Sequence, residues 1–165
     1  MEKKRLPGRQ EEICILLHNI RSAHNVGAIF RTADALGVKQ IFLSGYTPLP
    51  LDRFERPVRE IAKTALGAEK TIPWTAIAEP NMMMSELKEL GYEIVGVEQD
   101  SRAIDYREYH IGARTLFLVG NEVLGLSPKL RDKCDTLLEI PMRGKKESLN
   151  VAVSLGVALF RVCDE

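Results

Sequence analysis

The run Ile13-Cys-Ile-Leu-Leu-His-Asn19, followed by Ile20-Arg-Ser-Ala-His-Asn-Val-Gly-Ala-Ile-Phe-Arg-Thr-Ala-Asp-Ala-Leu36 and then Gly37, decides the fold class. Its first half is apolar almost without interruption. A strand with one wet face would alternate apolar and polar residues, so this run predicts a strand buried on both faces. The second half changes period: Val26, Ile29, Phe30, Ala33 and Leu36 fall on one stripe of a helix that Asn25 can N-cap and Gly37 is placed to end. A doubly covered strand followed at once by an amphipathic helix is the repeating unit of a parallel sheet.

The same alternation recurs along the chain. Residues 40–44, 92–98, 115–119 and 136–140 are short β-branched and aliphatic runs of the same buried type. Pro57 suits a first helical turn, with Val58, Ile61, Ala62, Ala65 and Leu66 at helical spacing and Gly67 as the stop. Met83, Leu87 and Leu90 predict a third helix before Gly91, and Ser127-Pro128 opens a short fourth. The expected class is α/β, a single domain over residues 1–165, with no repeat, linker or low-complexity tract.

Composition narrows the function classes. A chain of 165 residues can bury roughly two thirds of the surface its unfolded form exposes, enough for one core. With 45% hydrophobic and 28% charged residues and no apolar run of membrane-spanning length, it reads as soluble and globular, with no membrane partner. Residues 1–12 are charged and lack a signal-peptide pattern, so a cytoplasmic location is expected. Cys14, Cys134 and Cys163 are odd in number and far apart, which suggests neither a disulfide framework nor a metal site; each is expected as a small buried hydrophobe. The 23 basic and 23 acidic residues cancel, so any nucleic-acid contact must rest on a local patch.

Residues 149–162 form a last helix that is apolar in every direction, with Val153, Gly156 and Phe160 on one side and Val151, Leu155 and Ala158 on the other. A helix apolar all round must be covered all round. Either a second subunit packs on it, or it is tucked centrally within one chain.

Three segments carry chemistry. The first is 19–34, at the end of the first strand, where ligands of open α/β sheets bind. Arg31 lies about 140° from Val26 at ~100° per residue, off the apolar stripe. Leaning toward the helix N-terminus, its side chain would pass over Gly27 toward the strand-end crevice. The alternative is a surface ion pair with Asp34 or Asp52, just as Asn25 has the alternative of being only a cap and His24 of being only a loop residue. The second segment is Leu118-Val-Gly-Asn-Glu-Val-Leu-Gly-Leu-Ser127, a strand running into two glycines, with Glu122 able to accept hydrogen bonds from an amine or hydroxyl. Its spacing is neither the Walker pattern nor the dinucleotide fingerprint. The third runs from Ile140-Pro-Met-Arg-Gly-Lys-Lys-Glu to Ser148-Leu-Asn150. Ser148 and Asn150 are good N-cap types, and with Ile140 and Met142 they also frame a mostly apolar slot for a flat ring. His18 and His110 have no partner spacing that suggests a metal or a nucleophile.

Together the three segments, in this order and at these separations, resemble the signature motifs of the SpoU (TrmH-like) branch of the SPOUT RNA methyltransferases, over about residues 13–160. The resemblance implies a parallel-sheet SPOUT fold with a C-terminal trefoil knot, a rare exception to unknotted connections. It implies a homodimer, S-adenosylmethionine as cofactor, and transfer of its methyl group to a ribose 2'-hydroxyl of tRNA or rRNA. Asn25 and Arg31 match the polar positions of the first motif, Glu122 the acid of the second, and Ser148 and Asn150 those of the third. Val97, Gly120, Asn121, Gly125, Ile140, Met142, Ser148 and Leu149 are the implied cofactor pocket. Ala152 and Ser154 exchange a small pair that many relatives carry in the other order. Many longer relatives carry an N-terminal RNA-binding domain; here only about a dozen residues precede the first strand by its apolar pattern, and no such separate domain is expected.

The chemistry asks for alignment and the handling of one proton. The resemblance puts Arg31 nearest that proton. An arginine keeps its charge in nearly every setting, so an electrostatic clamp on phosphate and forming alkoxide suits it better than a literal base. Asn25, Ser148 and Asn150 would orient the hydroxyl and the methionine moiety, and Glu122 would position Arg31 across a dimer interface. RNA would meet Arg53, Arg56, Arg59 and Lys63 around the second helix and Arg143, Lys145 and Lys146 before Ser148, charges whose ordinary meaning is a solvated face. Two other classes fit the α/β pattern: a nucleotide-cofactor-dependent enzyme of small molecules such as a reductase, and a catalytically inactive RNA-binding module.

Overall fold

The computed structural model describes residues 11–163. The elements in chain order are β1 (Glu12–His18), α1 (Ala23–Leu36), β2 (Gln40–Ser44), α2 (Arg59–Ala65), α3 (Ala68–Thr71), β3 (Trp74–Ile77), α4 (Pro80–Glu89), β4 (Glu93–Val97), β5 (Ile104–Asp105), β6 (Arg114–Val119), α5 (Pro128–Arg131), β7 (Thr136–Glu139) and α6 (Val151–Cys163). They build one sheet of order β3-β2-β1-β6-β4-β7-β5 in which every pairing is parallel. Residues 1–10, on which most of the expected absence of a signal peptide rests, lie outside the described residues. No described helix is long and apolar enough to cross a membrane.

The unbroken apolar run of β1 is explained by its place near the middle of the sheet. Successive side chains point to opposite faces. Ile13, Ile15 and Leu17 enter the layer with α1 and α6, while Cys14 and Leu16 enter the layer with Met83, Met84 and Leu130. Burial on both faces removes the polar half of the usual alternation. Of the three free cysteines only Cys14 is fully buried, while Cys134 and Cys163 are half-buried.

Several boundaries differ from expectation for identifiable reasons. Ser22, not Asn25, caps α1, its hydroxyl accepting from the Asn25 backbone N–H. Gly37 ends the helix in the left-handed conformation, as expected. Pro57 lies outside α2, bridged to Leu51, and Leu66 is the left-handed stop, so Gly67 opens α3 instead. Leu90 follows α4 and is exposed. Ser127 caps α5 as expected. The apolar last helix begins at Val151 and buries Leu155, Ala158, Leu159 and Val162. Leu149, Val153, Val157 and Phe160 remain 38–51% exposed, so the helix is not tucked centrally within this chain.

Candidate active site

Beyond the carboxyl ends of β4, β6 and β7 lies a cavity of about 270 Å³. Its apolar wall includes Val97, Leu138, Ile140, Met142 and Leu149; Gly120 and Gly125 bring backbone to it, and Gln99, Asn121 and Ser148 are polar. All eight residues that the resemblance assigns to a cofactor pocket line this one space. Four carboxylates line it as well, those of Glu98, Glu122, Glu139 and Glu147, and among the described residues no Lys, Arg or His does. Such a wall favours a ligand with cationic and apolar parts and disfavours one that carries phosphates. The methionine end of S-adenosylmethionine, with its ammonium and sulfonium, and its adenine ring fit that donor set. The volume lies near the lower end of the roughly 300–1,000 Å³ usual for small-molecule sites.

Asn25, Glu122 and Asn150 come together although they are distant in sequence. The Asn150 amide donates to Asn25 Oδ1 at 3.0 Å, and Asn25 Nδ2 donates to Glu122 Oε1 at 3.1 Å. Glu122 also accepts from the backbone N–H groups of Arg21 at 2.9 Å and Ser22 at 3.0 Å. Burial raises its carboxyl pKa, but these donors outweigh burial and hold it below the usual carboxylate value. Glu122 therefore clamps the loop after β6 onto the start of α1. Within one chain it does not pair with Arg31, because its oxygens are occupied by local donors. Asn150 also caps α6, its Oδ1 accepting from Ala152 at 2.9 Å. Ser148 lines the cavity and makes no hydrogen bond among the described residues.

The expected route of Arg31 over Gly27 is corrected by the structure. A Cβ at Gly27 would lie 2.0 Å from Thr64 Oγ1 and 2.3 Å from the Ile61 carbonyl oxygen, so α2 fills the space the glycine leaves. The missing side chain serves helix packing instead. Arg31 lies in a separate exposed groove with Ala28, Thr32, Ala35, Lys63, Thr64 and Phe160. It makes neither of the surface ion pairs considered for it: Asp34 accepts from Thr71, and Asp52 pairs with Arg56. Of the other basic residues proposed for RNA, Arg53 and Arg56 both stand over the Phe54 ring, at 4.7 and 4.9 Å from its centroid. His18 bonds Ser44 and Asn19, and burial lowers its pKa.

Glu98 and Gln99 hold the site without being among the residues the sequence marks, and Asn121 and Gly125, which are among them, hold it through contacts the sequence does not show. Glu98 Oε2 accepts from the Leu126 N–H and occupies the place a Cβ on Gly125 would need. Gly125 adopts φ +64°, so both its conformation and this contact demand glycine. Asn121 is buried and its side chain is fully engaged: Oδ1 accepts from Val123 and Leu124, and Nδ2 donates to the Asn19 carbonyl and the Tyr46 hydroxyl. Gln99 donates to the Glu147 carbonyl across the cavity. A residue pattern could have flagged Glu98, an acid at a strand end; the Asn121 network depends on contacts between remote segments. Among the described residues no group of three or more His, Cys, Asp or Glu could hold a metal.

The sheet order and the placement of the cavity define a class of parallel α/β fold with a strand-end ligand site. The chain superposes on the crystal structure of the A. aeolicus TrmH/SpoU tRNA modifying enzyme with a TM-score of 0.81 and 28% identity, covering 94% of this chain and 76% of that one. On the AdoMet-bound rRNA methyltransferase from Sinorhizobium meliloti the TM-score is 0.78 and the identity 29%, over 92% and 55% of the two chains. The chain belongs to the SpoU rRNA methylase family, whose model matches residues 12–160. It is 37% identical over 149 residues to a 23S rRNA (guanosine-2'-O-)-methyltransferase of Nitrosomonas europaea, covering 90% of this chain and 54% of that protein. The counterpart in Neisseria meningitidis is 33% identical over 147 residues, covering 89% and 56%. The chain thus spans a little over half the length of these curated relatives.

Proposed function

We propose that the protein is a cytoplasmic RNA 2'-O-methyltransferase that takes its methyl group from S-adenosylmethionine, acts on a ribose of tRNA or rRNA, and works as a homodimer. The observation that carries this reading is the cavity: part apolar, lined by four carboxylates and by no Lys, Arg or His among the described residues, with its Glu122 tied through Asn25 to Asn150. A nicotinamide dinucleotide would bring phosphates against those carboxylates, which argues against the reductase. The relatives named for guanosine-2'-O-methylation support the acceptor, and the AdoMet-bound relative supports the donor.

When bound, S-adenosylmethionine supplies a methyl group already activated on sulfur. The chain's own residues then have two tasks. Val97, Ile140, Met142 and Leu149 hold an apolar ring and exclude water, while Ser148 and the carboxylates engage polar and cationic groups. Arg31 neutralises the acceptor: its guanidinium binds the adjacent phosphate and stabilises the alkoxide as O2' gains the methyl and its proton passes to phosphate or water. Because Arg31 shares its groove with Phe160 of the exposed α6 face, pairing two α6 faces would offer Arg31 to the partner's cavity. The run 140–150, which lines the cavity with the loops after β4 and β6, would be the segment threaded in the trefoil knot that the family resemblance implies.

Three measurements test this. Equilibrium binding should detect S-adenosylmethionine but not nicotinamide cofactors, and labelled methyl should enter bulk RNA at 2'-oxygens. Tight cofactor binding without methyl in RNA would reduce the protein to an inactive module. Light scattering should report two chains per particle; a one-chain mass under methylating conditions would remove the dimer.

A further inference from the structure

A second depression, of about 580 Å³, adjoins the cavity and shares Asn121 and Val123 with it. It is lined by Arg21, Tyr46, Asn121, Val123 and Leu124. We propose that it is a subsite for an unstacked nucleotide of single-stranded RNA, with a base on the Tyr46 ring and a phosphate on Arg21. The inference rests on the proposed RNA methyltransferase reading for its polymer, and on the following geometry for its place.

The ring of Tyr46 is 56% exposed, yet its hydroxyl accepts from Asn121 Nδ2 at 2.9 Å, so it is presented in a fixed pose. Val123 and Leu124 are 78% and 84% exposed, yet Asn121 Oδ1 holds both of their backbone N–H groups at 2.9 and 2.8 Å. One buried amide thus braces three outward apolar groups around one hollow, a pre-organised platform. Stacking on an aromatic ring is the way proteins hold unpaired bases. Arg21 is the only charged side chain in the lining. Only its backbone N–H is engaged, by Glu122, and its guanidinium makes no hydrogen bond or ion pair among the described residues. The charge contrast with the neighbouring cavity selects the occupants: carboxylates for a cationic donor, and an arginine with an aromatic ring for an anionic polymer. Sharing a wall, the two spaces would place a ribose held in one beside a methyl held in the other.

The test is fluorescence anisotropy of a labelled unstructured RNA 12-mer with the full chain, against the same sequence as a duplex. Tyr46→Ala should weaken single-strand binding about tenfold or more. Tyr46→Phe keeps the ring but loses the bond to Asn121 that fixes its pose, and should weaken binding distinctly less than Tyr46→Ala. Arg21→Ala should weaken binding and lower the log–log salt slope by about 0.7, one phosphate contact. The proposal is overturned if Tyr46→Ala and Arg21→Ala bind like wild type, if Tyr46→Phe is as weak as Tyr46→Ala, or if duplex binding falls equally. It is also overturned if Leu124→Glu halves the particle mass in light scattering, since a second copy would then fill the hollow. A wild-type protein that binds the 12-mer with these sensitivities but methylates no RNA would sink the proposed function and leave the subsite standing.

Discussion

The cavity beyond β4, β6 and β7 and the groove around Arg31 are built on opposite terms. In the cavity, Glu122 and Glu98 have donors from their own chain, and the loop after β6 is tied down by Asn121. In the groove, Arg31 and Lys63 stand beside the exposed Phe160 with no acid paired to either among the described residues. A site finished within one chain is ready for a small ligand, whereas unpaired cations beside an apolar helix face await something larger. In the proposed function the cavity binds the donor and the groove serves turnover, so substitutions in each should separate the two properties.

The largest effect is expected at Arg31. Arg31→Ala should lower turnover about a hundredfold or more, as loss of a transition-state partner does, and leave cofactor affinity within about twofold. Collapsed cofactor binding with intact turnover at saturation would place Arg31 in the donor pocket and erase the comparison. Arg31→Lys sharpens it: near-complete loss points to the planar fork gripping phosphate and hydroxyl together, and substantial activity to charge alone.

Gly27→Ala acts between the two regions. Its Cβ would meet Thr64 Oγ1 at 2.0 Å and the Ile61 backbone at 2.3 Å, so α2 must move. Denaturant unfolding should show a loss of about 1–3 kcal/mol, typical of overpacking. An unchanged midpoint would show that α1 and α2 are not rigidly docked.

Glu122→Gln should be milder, about 1–2 kcal/mol at neutral pH, the range for losing charge-assisted hydrogen bonds at a partly exposed group. The folded carboxyl pKa is lowered, so its stabilisation is complete above the ordinary carboxylate pKa and fades as pH falls through the folded value. The gap between wild type and variant should therefore shrink below about pH 4. A gap as wide at pH 3 as at pH 7 would mean that Glu122 acts by shape and not by charge.

What could be read from the sequence follows from how local each signal is. The five buried strands announced themselves through apolar runs, and Gly37 and Ser127 through cap chemistry. The edge strands did not: Trp74–Ile77 is short, with two exposed residues, and Ile104–Asp105 has only two residues to carry a pattern. Ser22 and Asn25 are both N-cap types three residues apart, and only the fold chooses between them. At the site, residue types at strand ends marked the cavity wall. The sequence points Arg31 over Gly27, but the neighbour of Gly27 is Thr64, on a helix whose docking no local pattern records.

During synthesis β1 leaves the ribosome long before β6, its neighbour in the middle of the sheet, where Glu12 pairs with Arg114. Its other edge can take β2 early, but Cys14 and Leu16 wait for Leu116 and Leu118 to complete their cluster. Then β4 needs β6, β7 needs β4, and Asn150 can reach Asn25 only after all of them. Distant pairings of this kind fold slowly, and an apolar strand edge stays open while they wait. Until β6 emerges, that open edge is the kind of surface that draws aggregation or chaperones, and the two ends of the candidate site, Asn25 and Asn150, are joined last.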